Sequence, residues 1–325
     1  MITRRLGRTG FEVSALGLGC FQFTGEYDIH PDLSEELMDF AMESPINIFD
    51  TASMYGFGES EEIVARGAFK HPDKRCYVST KIGYLHDRTV TRAKGYAAYQ
   101  DPKEIKRAVK HSLWISRKEQ LDMCMIHEPD WDCWGFDYET GDSVILSTLE
   151  ELKKEGYIAN IGLGSTEYVK SAKLIDTGRI DCALVAGGIS LIARPIFDYL
   201  IPAAKRHDCG ILAGAGFGMG NKFLVSKRRE ELNELLDSGD EVQVNTGRSC
   251  RRFMTCQMSW GWTCLNWLSA IFWLLMIYIH TVRVQERRGI LRQTWPMPRR
   301  GLWIWRLWIR FMQYRMSLLS HRIIT

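Results

Sequence analysis

The sequence has 9 cysteines but no pair of them at the short spacing that metal-binding motifs use. It also lacks an apolar signal core, because Met1–Arg5 leads into a polar turn. Neither sign of charge dominates, and a net charge of +3 gives no reason to expect a nucleic-acid partner. We therefore expect a cytoplasmic protein with reduced thiols and without a metal site.

Acidic residues are nearly absent from the last quarter of the chain. After Glu241 the only acidic residue is Glu286, and most of the 11 tryptophans also lie there. Within this part, residues 258–281 contain no Asp, Glu, Lys or Arg and are long enough to span a bilayer. We therefore separate a domain at 1–241 from a Trp- and Arg-rich tail at 242–325, which contains a possible single membrane span.

Short β-rich segments alternate with amphipathic helical segments up to about residue 240. The predicted strands are Ser14–Cys20, Ile46–Asp50, Cys76–Lys81, Leu121–His127, Ile158–Leu163, Cys182–Val185 and Gly210–Ala213. The predicted helices lie near 31–43, 59–70, 102–116, 143–155, 167–177 and 196–207. Such alternation predicts an α/β fold with a parallel sheet, which either is doubly wound or closes into a barrel.

Four polar side chains follow the ends of three predicted strands: Asp50, Tyr55, Lys81 and His127. Functional groups at several strand ends favour a (β/α)8 TIM barrel, here incomplete at its eighth βα unit. A phenol has an unperturbed pKa of about 10, and we expect the Lys81 ammonium to lower it. Asp50 would hold the lysine, and His127 would orient a substrate carbonyl or share the proton. Taken alone, Tyr55 is better explained as a loop tyrosine that packs on the barrel rim; the catalytic interpretation depends on Lys81 and His127 at matching positions.

The motifs around these residues resemble those of the aldo-keto reductases over roughly residues 1–240. The matching segments are Leu6–Gly10, Val13–Gly19, Phe49–Gly56 with Glu59, Ser79–Lys81, Ile126–Asp130 and Leu152–Gly162. The loop 183–192 is more similar to the sugar- and aldose-dehydrogenase branch of the family. Together, in this order and spacing, the segments indicate the family far more specifically than any one of them does.

This resemblance implies a nicotinamide cofactor, NADP(H) or NAD(H), because no side chain supplies a hydride. It implies that Tyr55, Lys81, Asp50 and His127 are catalytic. The cofactor contacts that it implies are Gly19, Cys20, Phe21, Asp50, Ser165, Gly214, Gly216 and Gly218. The sequence has no Gly-x-Gly-x-x-Gly in a Rossmann context. The resemblance implies that the Gly-rich loop 214–220 lies over the cofactor pyrophosphate, where glycines allow close approach of the backbone. A flexible linker is the other interpretation of that loop.

Three positions depart from the family pattern around the nicotinamide. Ser165 stands where the family usually has asparagine, and Ala186 where it has glutamine. Ile189 stands where a tyrosine usually stacks on the nicotinamide, so only apolar contact is expected there.

The tail has a second interpretation, in which it is translated one nucleotide out of frame. With suitable synonymous codons, residues 252–261 read back as K-I-Y-D-L-S-D-E-L-G, and residues 267–275 as the helical sequence E-L-A-E-R-Y-L-L-A. The text from Val282 reads back with P-G-A-R and E-A-N, which resembles the end of an aldo-keto reductase. We favour this interpretation over a membrane anchor.

The implied reaction is the NAD(P)-linked interconversion of an aldehyde, ketone or aldose with the alcohol or lactone. Two alternatives stay open: a nicotinamide-binding regulatory subunit without significant turnover, and a reductase anchored by residues 258–281. After His127, the aromatic side chains either line an apolar substrate pocket or form a packed cluster at the rim; they are Trp131, Trp134, Phe136 and Tyr138. The expected partner is a small carbonyl or sugar substrate, and the sequence carries no signal for an oligomeric state.

Overall fold

The computed structural model describes residues 3–24, 31–87, 89–189 and 194–215, with a few single residues between 233 and 248. The strands are β1 Thr3–Arg5, β2 Glu12–Ser14, β3 Leu18–Gly19, β4 Ile48–Asp50, β5 Tyr77–Ile82, β6 Leu121–His127, β7 Ile158–Ser165, β8 Cys182–Ala186 and β9 Gly210–Gly214. The α-helices are α1 Pro31–Glu43, α2 Glu59–Lys70, α3 Pro102–Ser116, α4 Val144–Lys154, α5 Val169–Asp176 and α6 Leu200–His207.

Strands β3 to β9 form one 7-stranded sheet in chain order, and every neighbouring pair is parallel. All their carboxyl ends therefore lie at the same edge of the sheet. Within the described residues, β3 pairs only with β4 and β9 pairs only with β8. The predicted (β/α)8 barrel architecture is confirmed for the described residues, which supply seven parallel strands of it.

The predicted strand at Ser14–Cys20 is wrong in its bounds, because the chain turns within it. β1 and β2 pair as a separate antiparallel hairpin, and only Leu18–Gly19 joins the sheet. Gly7 in the hairpin turn has a φ of +49°, and a Cβ there would lie 2.2 Å from the backbone nitrogen of Gly210. Glycine is needed at this close approach, which seats the hairpin against the start of β9.

Alternation along the strands decides which side chains face the barrel interior. The interior core is a cluster of buried residues from the hairpin and the strands: Leu6, Val13, Ile48, Tyr77, Met123, Met125 and Cys182. On β5, Val78 follows the inward Tyr77 and packs outward, in the cluster that contains the α1 residue Met38. The same inward parity brings Lys81, four residues after Tyr77, and His127, two residues after Met125, to the interior at the carboxyl end.

Local signals placed the outer helices correctly. Asp101 caps α3 by accepting a hydrogen bond from the Lys103 backbone nitrogen at 2.9 Å, and Pro102 occupies the first turn. Gly178 follows α5 with a φ of +73°, as expected of a residue just past a helix end.

None of the helices in the described part of the chain combines the length and the hydropathy that a bilayer span requires. The possible span at 258–281 and the position of any eighth strand lie outside those residues, as do Gly216 and Gly218.

Candidate active site

Lys81 is the centre of the polar group at the barrel mouth. Its side chain is 2% exposed, and its Nζ donates to Asp50 Oδ2 at 2.7 Å and to the Thr51 backbone oxygen at 2.7 Å. The same Nζ lies 3.3 Å from the Tyr55 hydroxyl. Three oxygen partners therefore fix the ammonium at one point, which compensates for its burial.

Burial alone would lower the pKa of Lys81, but the Asp50 carboxylate and Tyr55 outweigh it, so the pKa is raised. The lysine is therefore positively charged at neutral pH. Asp50 is itself held, because its Oδ1 accepts a short hydrogen bond from the Ser79 hydroxyl.

Tyr55 lies in a short 3-10 turn, Tyr55–Gly58, directly before α2. Its ring is 7% exposed and packs edge-on against Phe21, with ring centroids 5.0 Å apart. Burial raises the pKa of Tyr55 more than the Lys81 ammonium lowers it, and Asp50 adds to the rise. Lys81 therefore lowers the pKa of Tyr55 as expected, but burial outweighs it. The phenol keeps its proton at neutral pH, as a proton donor requires.

His127 ends β6 and faces the Tyr55 ring at a centroid distance of 6.0 Å. Burial and the Lys81 charge hold the pKa of His127 well below its usual value. Its imidazole is therefore neutral at neutral pH. Its Nδ1 is buried and has no hydrogen-bond partner in the part of the chain that the structure describes. Of the two roles expected for this residue, orienting a carbonyl fits better than sharing a proton.

Gly164 on β7 provides the space that the Lys81 side chain occupies. A Cβ at Gly164 would lie 2.8 Å from Lys81 Cδ and 3.1 Å from Cε. Because Nζ is fixed by its three partners, the lysine stem has little room to move aside. Sequence reasoning missed Gly164 and Ser79, although both lie at inward positions level with the predicted site residues.

We expect Gly164→Ala to lower kcat by at least about tenfold, because the new methyl group displaces Lys81 from Tyr55. The matched control is Gly162→Ala, where a Cβ would lie 2.9 Å from Met125 Cγ and from Cys182 Sγ and would crowd the core instead. Both variants should unfold at lower temperature, and kcat per cofactor-binding molecule should fall only in Gly164→Ala. An unchanged kcat in that variant would contradict the role given to the glycine.

The residues expected to contact a cofactor are placed differently from one another. Gly19 is exposed, and a Cβ there would meet no described residue within 4 Å, so the end of β3 borders open space in the part of the chain that the structure describes. Phe21 is 43% exposed beside Tyr55, and Gly214 ends β9. Cys20, by contrast, is fully buried in the cluster that contains Met38 on α1 and Val78 on β5, which we call the outer core. Its thiol therefore cannot reach a ligand at the mouth.

The three departures from the family pattern have local partners of their own. The Ser165 hydroxyl donates to the Glu167 backbone oxygen at 2.8 Å and accepts from its backbone nitrogen at 2.9 Å. The Ala186 oxygen accepts from the Tyr168 hydroxyl at 3.3 Å. Ile189 is 2% exposed and belongs to the cluster between the sheet and the helices, so it offers no open surface for stacking.

The aromatic residues after His127 divide into two groups. Trp134 is fully buried and donates its indole N–H to the His127 backbone oxygen at 3.1 Å, which fixes the end of β6. Phe136 and Tyr138 pack against the cluster of buried residues to which Trp134 belongs. Trp131 instead lies edge-on to Tyr84, whose ring also contacts His127 at a centroid distance of 5.0 Å. Trp131 is therefore linked to His127 through the Tyr84 ring.

Comparison with known proteins agrees with this arrangement. The Aldo/keto reductase family model matches residues 15–269, so the match continues past Glu241 into the tail. The uncharacterized oxidoreductase YqkF of Bacillus subtilis is 31% identical over 242 residues, which cover 72% of this chain and 70% of that protein. A D-threo-aldose 1-dehydrogenase of a Pseudomonas species is 24% identical over 261 residues, covering 74% and 78%.

A solved structure, the glycerol dehydrogenase of Gluconobacter oxydans, superimposes with a TM-score of 0.61. It is 22% identical in sequence, and the match covers 84% of this chain and 82% of that one. The likeness supports the same barrel architecture. The chain therefore belongs to the aldo/keto reductase family and is an oxidoreductase.

Proposed function

We propose that this protein interconverts an aldehyde, ketone or aldose with the alcohol or lactone, using NADP(H) or NAD(H). The observation that carries the proposal is the position of Lys81 Nζ, which lies within 3.3 Å of the Tyr55 hydroxyl and 2.7 Å of Asp50. This contact couples a protonated phenol to a fixed positive charge. Such a pair gives up a proton to a carbonyl oxygen that gains negative charge and stabilises the phenolate that remains.

The residues at the mouth fit a nicotinamide cofactor. The exposed Phe21 ring packs edge-on against Tyr55, and Gly19 is exposed at the end of β3. The buried His127 Nδ1, which has no hydrogen-bond partner among the described residues, lies at the same mouth. Phe21, with the backbone at Gly19 and Gly214, would hold the cofactor. When bound, the nicotinamide supplies or accepts the hydride.

Each protein group has a separate task in carbonyl reduction. The Tyr55 hydroxyl donates its proton to the substrate oxygen. Lys81, held by Asp50, keeps its charge beside the phenolate that forms. His127 is neutral, and its ring N–H donates a hydrogen bond that orients the carbonyl. In the reverse direction the phenolate of Tyr55 takes the proton from the alcohol.

Steady-state turnover tests this function. NADPH and NADH consumption should be measured with a panel of aldehydes and ketones, and NADP⁺ and NAD⁺ reduction with a panel of aldoses. We expect many turnovers per protein molecule with at least one substrate. Cofactor binding without turnover across both panels would contradict the proposal and support the regulatory alternative.

We also propose that the printed tail after residue 241 is out of frame. In support, within the described residues β3 and β9 each have one sheet neighbour, which leaves room for a strand between them. Sequencing the transcript across codons 235–255 tests this idea. We expect the frame-restored chain, meaning residues 1–241 followed by the tail read in the other frame, to be far more active and to melt more sharply than the printed chain.

Two results together would contradict an out-of-frame tail. If the transcript confirms the printed frame and the printed chain has full activity with a sharp melting transition, the tail proposal is wrong. Recovery of the native protein in the membrane fraction would then favour the anchor at 258–281.

A further inference from the structure

A group of partly exposed rings continues outward from His127 at the mouth of the barrel. We call Tyr84, His86, Tyr96 and Trp131 the aromatic platform. Tyr84 contacts both His127, at a centroid distance of 5.0 Å, and Trp131, at 4.7 Å. Its φ of +54° lies in the left-handed region, which side chains other than glycine rarely adopt. Strained backbone of this kind is often retained where a side chain serves a site.

His86 is the polar member of the platform. Its ring stacks on Tyr96 with centroids 4.2 Å apart and planes within 12°, and it lies 5.9 Å from Trp131. Its Nδ1 is 2.7 Å from the hydroxyl of Tyr99, which is fully buried. A buried anchor and a stacked ring therefore fix the imidazole. Since Nδ1 is engaged by Tyr99, Nε2 is the ring nitrogen that, among the described residues, remains to contact a ligand.

The chemistry of the platform matches one kind of ligand group. Depending on its tautomer, Nε2 either donates or accepts a hydrogen bond. A hydroxyl group pairs with both forms, because it can also donate and accept. The Tyr96 ring is 65% exposed and offers an apolar face on which C–H groups of a ligand can pack. A carbon skeleton that carries hydroxyl groups would satisfy the ring face and the imidazole together.

We propose that His86 is a specificity-determining residue that binds a hydroxyl group of the substrate on the side of Tyr84 away from the reacting carbonyl. This inference rests on the proposed function for the position of the carbonyl near Tyr55 and His127. The platform then selects hydroxylated substrates over plain aldehydes of the same length. Tyr99 is a positioning residue, because it acts by holding His86.

The test compares aldohexoses with hexanal in the wild type and in His86→Phe. The phenylalanine keeps a ring that can stack on Tyr96 and removes both nitrogens. We expect kcat/KM for the preferred aldohexose to fall about five- to tenfold, as for the loss of one hydrogen bond to a neutral group. The value for hexanal should stay within about twofold, which also shows that the variant is folded. The matched control is His111→Phe, since His111 contacts Trp114 on the outer helix α3. This variant should leave kcat/KM unchanged for both substrates.

Binding of a hexitol, measured by calorimetry in the presence of cofactor, gives a second readout that needs no turnover. We expect His86→Phe to weaken it by the same factor, and Tyr99→Phe to weaken it less. Equal losses for aldohexose and hexanal, or no loss for either, would overturn the proposal. Failure of the wild type to turn over either substrate would count against the proposed function instead, and the hexitol comparison would still decide the role of His86.

Discussion

Replacing Tyr55 by phenylalanine is expected to reduce carbonyl reduction by about 10²- to 10⁴-fold, the usual contribution of a general acid. The substitution removes only the hydroxyl oxygen and its proton, and it leaves the ring in place against Phe21. Cofactor binding, measured by fluorescence quenching, should therefore stay within about twofold of the wild type. The measurement should use the frame-restored chain, with the printed chain beside it.

Tyr77→Phe is the matched control for this substitution. Tyr77 belongs to the interior core of the same barrel, on the same strand as Lys81 but nearer its start, and stacks on Phe11 with centroids 4.4 Å apart. Loss of its hydroxyl should leave turnover unchanged. A Tyr55→Phe protein that reduces carbonyls within a few-fold of the wild-type rate would show that another group donates the proton.

Lys81→Met should have the second-largest effect, because it removes the buried charge and keeps most of the apolar stem. We expect kcat to fall by about 10²-fold or more, since the phenolate formed from Tyr55 loses its stabilising charge. It should also destabilise the fold by up to about 3–5 kcal/mol, because Asp50 is left without its partner. The double variant Lys81→Met with Asp50→Asn should recover much of the stability and none of the activity.

The pH dependence of this variant separates a catalytic role from a structural one. Lys81 acts to lower the pKa of Tyr55, although burial dominates. Its removal should therefore raise that pKa further. Alcohol oxidation needs the phenolate, so its rate increases as pH rises through the pKa of Tyr55. In Lys81→Met this increase in rate should therefore occur at higher pH than in the wild type. A rise at the wild-type pH would mean that the lysine does not act on the phenol.

The sequence contained enough information to predict the fold and the four polar residues. Strand β6 is predicted with its observed bounds, Leu121–His127, because the apolar run 123–126 ends at a histidine. Because side chains alternate between the two faces of a strand, Lys81 and His127 then face the barrel interior. The same parity would have identified Ser79, two residues before Lys81, as the partner of Asp50.

Properties that depend on packing between distant segments were harder to predict from the sequence. The pKa of Tyr55 is the balance of burial against one nearby charge, and its sign cannot be obtained from residue types alone. Cys20 follows a glycine at a strand end, yet its thiol turns into the outer core. The contact between Tyr84 and His127 depends on a left-handed backbone at Tyr84, which no local pattern predicts.

The most direct test of the account is the fate of the cofactor hydrogen during turnover. NADPH or NADH carrying deuterium at C4, on either face in separate experiments, should be incubated with the frame-restored protein and a reducible aldehyde. The product should be analysed by mass spectrometry. We predict deuterium on the carbinol carbon from one of the two labelled faces, at a rate that falls by about 10²- to 10⁴-fold in Tyr55→Phe. Cofactor that binds while no deuterium reaches the product from either face would contradict the assignment of this site as a hydride- and proton-transfer centre.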